Sequence, residues 1–392
     1  MTELKIPVEE IRVAAEARRD LVVQLQQRLH RIPELSLEER ETTRVIREFL
    51  AGRDVAFDPL GCDTGGLAVI GEGETCVILR ADLDALPVTE ADGQPHCSSN
   101  PGVMHACGHD AHAAMLLAAA DALVSGEVRF SGRVVCLFQP AEERGGGCKR
   151  FLDQGLLQRY PARGAVALHV WPQLATGKVS LAPGPVMASM DSFQLVFQGR
   201  GGHGAYPHAC IDPVVMAAEA VLALQTLVSR RVDPQRAALV TVGQVHGGTA
   251  SNIIPDVVEV EGTLRAFEPE VRDILVQGVR SISEGVARTH GGSCRCTLTP
   301  GYPITRNDPG STARLRAALE PLFGPGSVVG GEPTMGSEDM SFLLERVPGC
   351  YIRLGAAADP ATAAPLHSPR FRVDENALPI GVATLLAAAC AL

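Results

Sequence analysis

The sequence predicts an α/β protein in which a mostly parallel-sheet domain is interrupted by a smaller, ferredoxin-like α+β domain. Two observations carry this. Short β-type apolar runs alternate with helical stretches in the first half of the chain, as a parallel sheet covered by helices requires. Past residue 187 the order becomes β-α-β-β-α-β, that of a ferredoxin-like sandwich, before helix and strand patterns resume from residue 308. The 392 residues suffice for two such domains.

The first 50 residues read as two helices joined by "RIPELSLEE". Pro33 punctuates this link, and Ser36 with Glu39 has capping-box spacing for the second helix. Strands "GLAVIG" and "CVILRAD" follow, then a helix over 109–124, strand "RVVCLFQ", a helix near 148–158 and strand "AVALHVW". In the insertion, "SFQLVFQGR" reads as a strand, although its polar and apolar residues alternate poorly. A helix over 212–230 opens at Asp212-Pro213. Strands "AALVTVGQVHG" and "DVVEVEGTLRAF", a helix over 268–290 and strand "SCRCTLTPGY" complete it. The boundaries expected are 1–186 plus 302–392 for the larger domain and 187–301 for the insertion. Both crossings carry Pro or Gly (Pro183, Gly184, Pro185; Pro300, Gly301, Pro303), which suits a double hinge.

Apolar content of 46% and charged content of 20% fit a soluble globular protein. A net charge of −10 without a Lys/Arg cluster argues against a nucleic-acid partner. The start, "MTELKIPVEEIR", has no apolar core of a secretion signal. The apolar stretch 377–392 contains Pro379 and Gly381 and falls short of the roughly 20 residues that span a bilayer, so no membrane partner is expected. Eleven irregularly spaced cysteines point to a reducing compartment, and a cytoplasmic location is expected.

Gly199-Arg-Gly201-Gly-His-Gly204 fits G-x-G-x-x-G after a strand. Tyr206-Pro207-His208 and Asp212-Pro213 intervene before any helix, so the helix N-terminus that should hold a pyrophosphate is displaced. The stronger chemical signal lies at the ends of the parallel strands, where open α/β sheets build their sites. Asp82 and Asp84 follow one strand, Glu142 and Glu143 another, and His169 ends a third. Cys107 and His109 open a helix, and His367 stands in "PLHSPRF" between two prolines. Each alone is unremarkable, but Cys, His, Asp and Glu recurring at five such points indicate a metal centre on rigid elements.

The motifs "LHRIPELS", "RADLDALPV", "MHACGHDAH", "FQPAEE", "LHVWP", "GGHGAYPH", "SNIIPD", "GTLRAF", "GSEDMS" and "LHSPRF" appear in this order. In them the chain resembles the M20 metallopeptidase family, specifically its amidohydrolase branch of hippurate, N-acyl-amino-acid and auxin-conjugate hydrolases. The resemblance implies a phosphorylase/hydrolase-like catalytic domain in which Cys107, His109, Glu143, His169 and His367 hold two divalent metals: Zn²⁺, Mn²⁺, Co²⁺ or Ni²⁺. It implies Glu142 as the general base, taking a proton from water and returning it to the leaving amine. An irregular turn, with which Pro140 is compatible, would have to bring both glutamates to the metals.

Asp84 would orient a ligand, while His105 and His112 have no clear role and would at most support the ligands from behind. The resemblance places His203, Asn252 and Arg265 at the substrate, His203 in its own or a partner's site. The implied substrate is a small N-acyl amino acid. A dipeptide or carboxypeptidase substrate is the alternative, and a non-enzymatic metal-binding relative the third reading. Many relatives carry H-x-D where Asp82-Leu83-Asp84 stands here, so Asp82 is not expected to replace that His as a ligand. Arg144, where relatives carry Gly, is a second departure. The surplus apolar residues of helix 213–228 suggest a homodimer through the inserted domain.

Overall fold

Every residue of the strand Cys76–Asp82 is buried, so both faces of the sheet it belongs to are covered. The structure, a computed structural model, describes residues 6–91, 93 and 96–392. The chain divides into two units: Met1–Val186, Arg306–Glu332 and Asp339–Leu392 form one, Met187–Thr305 with Pro333–Glu338 the other.

The first unit is built on an eight-stranded sheet. Its order is Phe57–Asp58, Gly66–Gly71, Arg133–Gln139, Cys76–Asp82, Ala162–Ala175, Gly349–Ala357, Val179–Ser180, Val328–Val329. The four central strands, from Arg133–Gln139 to Gly349–Ala357, run parallel, and antiparallel neighbours flank them. Helix His109–Val124 crosses this sheet almost wholly buried, as does Ala377–Ala391. An apolar circumference of this kind is expected of a helix enclosed on all sides.

The N-terminal segment forms three helices where two were expected: Val8–Ala17, Arg19–His30 and Arg40–Ala51. The first two are separated at Arg18, which leaves helical geometry at φ −102°. Its buried guanidinium donates to Asp121 Oδ2 at 2.7 Å and Glu127 Oε2 at 2.8 Å, and these charge-assisted bonds favour the break. The stretch near 148–158 is likewise two helices, Gly147–Asp153 and Leu156–Arg159, parted at Gly155.

The second unit is a four-stranded antiparallel sheet in the order Ala238–Gly247, Val257–Ala266, Ser189–Gln198, Ser293–Pro300. Helices Pro213–Thr226 and Pro269–Thr289 pack on it through a core that includes Phe193, Phe197, Leu224 and Leu275. This is the ferredoxin-like arrangement. The burial of Ser189–Gln198 alternates residue by residue, which corrects the expectation of poor alternation. Asp191 keeps the inward register despite its charge because Arg272 pairs with it at 2.6 Å. The helical stretch Pro213–Arg231 is long and apolar enough to cross a membrane by length and composition. Here its buried residues, among them Met216, Ala220, Leu224 and Leu227, pack on the sheet, leaving Val214, Val215 and Leu222 exposed.

His30 ties helix Arg19–His30 to the start of His109–Val124. Its Nδ1 lies 2.8 Å from Asp110 Oδ2 and its Nε2 3.1 Å from Glu90 Oε1. Burial opposes its charge, but the two carboxylates prevail and raise the imidazole to about 9. A folded value above the unfolded one of about 6.5 stabilises the fold fully below that pH, and the contribution disappears as pH rises through about 9. The thermal midpoint should therefore fall between pH 7 and pH 9.5 in the natural protein, and His30→Gln should flatten that fall. Equal slopes in both proteins would contradict the assignment.

Candidate functional site

The site grows from the carboxyl ends of the parallel strands. Cys76–Asp82 delivers Asp82 and then Asp84, Arg133–Gln139 leads into Pro140-Ala141-Glu142-Glu143, and Ala162–Ala175 carries His169. On a regular strand, adjacent glutamates project to opposite faces. Ala141 breaks the strand with φ +57°, a left-handed conformation costing a non-glycine residue about 1 kcal/mol.

Two buried carboxylates hold the turn. Ala141 N–H donates to Glu39 Oε1 at 2.9 Å, and Glu142 and Glu143 N–H donate to Asp84 Oδ1 and Oδ2, each at 3.0 Å. Ser36 Oγ also donates to Asp84 at 2.6 Å, and Thr64 Oγ1 to Glu39 at 2.8 Å. Ser36 and Glu39 therefore do not form the expected capping box. Glu39, at the N-cap of helix Arg40–Ala51, caps none of its amides. Glu34 accepts from Glu41 and Thr42 N–H instead, at 3.0 and 2.8 Å, while Ser36 and Glu39 are drawn into the turn that carries Glu142 and Glu143. Burial opposes ionisation of Asp84, yet His109, Ser36 and the Glu143 amide keep its carboxyl below the ordinary range.

Cys107 and His109 flank Gly108, which has φ +85° and would press a Cβ to 2.4 Å from Val170 Cγ2. Only glycine satisfies both conditions. His367 approaches from the late loop. Its own φ is +66°, its N–H donates to Ala106 O at 2.8 Å, and its Nε2 lies 3.3 Å from Glu143 Oε1.

These elements bring together three overlapping sets: Cys107, His109 and His169; Cys107, Glu143 and His367; His109, Glu142 and Glu143. Within each, the donor atoms lie within 4.8 Å of one another. Thiol, imidazole and carboxylate suit a borderline cation such as Zn²⁺ or its neighbours. Neither ring nitrogen of the fully buried His109 has an aligned hydrogen-bond partner. Its Nδ1 is 3.3 Å from Asp84 Oδ1 and its Nε2 3.7 Å from Asp82 Oδ2. A buried polar group left so is costly, and a metal would satisfy it. The residues thus fit a metal centre.

His203 and Asn252 meet on a ribbon of the second unit, where Gly202–His203 pairs with Ile253–Ile254 and Gly204 N–H donates to Asn252 O at 2.8 Å. Both side chains are exposed. The G-x-G-x-x-G stretch accordingly runs into this ribbon and opens no helix. Arg265, half-buried on Val257–Ala266, donates to Met335 O at 2.8 Å and Ser337 Oγ at 3.3 Å. Arg144 is exposed.

Three contributors escaped the sequence reading of the site: Ser36 and Glu39, read as a cap, and His112. A signal existed for His112, since it lies three residues beyond His109 on one helix face. His105 is buried, with neither ring nitrogen hydrogen-bonded, and burial pushes it down to about 4.

The cluster holds protons that a metal must displace. Burial pushes the Cys107 thiol up, and contacts with Cys107 and Glu143 raise His367 to about 10. Both shifts favour the protonated form in the metal-free protein, whereas groups that bind metal do so deprotonated. Metal affinity should rise with pH across 6–8, with protons released on binding. Calorimetry in two buffers of different ionisation enthalpy measures that release, and an apparent enthalpy independent of buffer would refute it.

Comparison with known proteins agrees with this geometry. The family model "Peptidase family M20/M25/M40" matches residues 78–391. N-acetyl-L-cysteine deacetylase of Bacillus subtilis is 38% identical over 359 residues, 91% of this chain and 84% of that protein. IAA-amino acid hydrolase ILR1-like 4 of Arabidopsis thaliana is 39% identical over 92% of this chain and 83% of its own length. Among solved structures, the Bacillus subtilis YXEP protein, described as a dinuclear metal binding peptidase from the M20 family, superposes with a TM-score of 0.84 at 31% identity. That match covers 96% of this chain and 98% of the other. The chain belongs to peptidase family M20/M25/M40 and is a metal-dependent amidohydrolase.

Proposed function

We propose that the protein hydrolyses the amide bond of N-acyl amino acids, releasing a carboxylic acid and an amino acid, with two divalent cations held by Cys107, His109, Glu143, His169 and His367. The observation that carries this is the turn at Ala141, which lets Glu142 and Glu143 share one cluster with the thiol and the imidazoles. Bound there, the cations would raise the acidity of water and polarise the substrate carbonyl.

Glu142 takes the proton as the water oxygen attacks the carbonyl carbon, and the same proton passes to the nitrogen as the C–N bond breaks. Asp84 fixes the Glu142 and Glu143 amides and stands beside His109, so the base and two ligands share one anchor. The unit Met1–Val186 with the two later segments is then the catalytic domain, and the ferredoxin-like unit the lid. From the lid, His203, Asn252 and Arg265 would bind substrate, His203 in its own or the partner's site.

The deacetylase and the IAA-amino acid hydrolase support an N-acyl amino acid substrate. Thermostable carboxypeptidase 2 of Saccharolobus solfataricus, 35% identical over 92% of this chain, favours the alternative of a peptide substrate with the same chemistry. A homodimer through the lid has support in the exposed Val214, Val215 and Leu222 of one helix. A cytoplasmic location belongs to the same reading.

A panel of N-acetyl and N-benzoyl amino acids against dipeptides, with and without Mn²⁺ or Zn²⁺, tests the substrate class. Turnover of N-acyl amino acids should dominate and vanish on chelation, and dipeptide-only turnover would establish the alternative. Glu142→Gln should retain metal while kcat drops about 10²–10⁴-fold, and Glu143→Gln should lose metal. The opposite pattern in the metal content of the two variants would reverse the assignment of base and ligand.

A further inference from the structure

His112 stands among the proposed ligands without being one of them, and both of its ring nitrogens are engaged. Val170 N–H donates to Nε2 at 2.9 Å, so that nitrogen presents a lone pair. The ring proton therefore sits on Nδ1, which donates to Asp82 Oδ1 at 2.5 Å. Arg80 Nη1 anchors the other Asp82 oxygen at 2.8 Å. Asp82, His109 and His112 lie close enough together to resemble a metal triad, but this arrangement leaves no nitrogen of His112 for a cation.

Val170 needs that acceptor. Its strand keeps register with Cys76–Asp82 only as far as Ala167 opposite Arg80. Beyond that point two histidines take the backbone groups of Val170. His112 accepts from its N–H, and His169 Nδ1 donates to its carbonyl at 2.7 Å. That second bond leaves the lone pair of His169 on Nε2, which lies 3.4 Å from Cys107 Sγ. The two rings pack at 4.5 Å between centroids.

We propose that Asp82 and His112 are a positioning pair, which clamps Val170 and so holds His169 in its Nδ1–H tautomer with Nε2 turned toward the ligand cluster. The carboxylate orients a ligand through His112 instead of binding metal. Partners outside the ligand set commonly fix a histidine's tautomer in this manner.

The proposal rests on His169 being a ligand, and its tests keep the two claims apart. In the natural metal-free protein, long-range ¹H–¹⁵N imidazole spectra should show the Nδ1–H tautomer at both His112 and His169. An Nε2–H form at either residue overturns the proposal. His112→Leu removes the acceptor, whereas His112→Gln sets an amide oxygen where Nε2 was. In chelator competition His112→Leu should weaken Zn²⁺ binding about 10–100-fold, and His112→Gln should recover most of it. Equal losses in both variants, or none in either, overturn it, and if His112→Leu does not fold the spectra of the natural protein decide. Unchanged Zn²⁺ binding in His169→Ala would dismiss His169 as a ligand while leaving the tautomers as read.

Discussion

The carboxylate of Asp84 organises the catalytic end of the sheet. It lies two residues past the strand Cys76–Asp82 and is buried, so it needs donors. It takes the amides of Glu142 and Glu143, the hydroxyl of Ser36 and the flank of His109. Glu39 does the same for the Ala141 amide. Two buried carboxylates thus stabilise a backbone conformation that Ala141 would not choose alone, and the placement of the proposed base Glu142 and proposed ligand Glu143 follows from that turn. The cost of the left-handed residue is about 1 kcal/mol, less than the charge-assisted bonds return.

The same logic spaces the imidazoles. The partner of one ring nitrogen of a buried histidine sets which nitrogen keeps a lone pair for a metal. His169 uses the carbonyl of Val170 and His109 stands beside Asp84. His112, with both nitrogens occupied, supports the framework. Burial alone would push His109 down, but Asp82 and its neighbours turn it upward, while burial holds His169 down. Neighbouring imidazoles are thus pushed in opposite directions, because the carboxylates prevail at His109 and burial prevails at His169.

Much of this was legible in the sequence. The parallel strands, the helix at 109–124 and the ferredoxin-like order follow from local periodicity, which a single sequence carries. The metal-type residues were visible because they recur at strand ends. What local pattern could not carry was partnership across the chain. Ser36 and Glu39 have the spacing of a cap, and nothing near them says that residues 84 and 141 claim them first. The break at Arg18 has the same cause, since its partners are Asp121 and Glu127. Pro333–Glu338 joins the second unit through bonds from Ala188 N–H to Thr334 O and Gly336 O, again between distant segments.

The most direct test of the account is anomalous diffraction from crystals of the Zn²⁺-loaded protein. Two peaks per chain are expected, both among Cys107, His109, Glu143, His169 and His367, with Asp82 and His112 still bonded to each other. A single peak, or a peak held between Asp82 and His112, would contradict it.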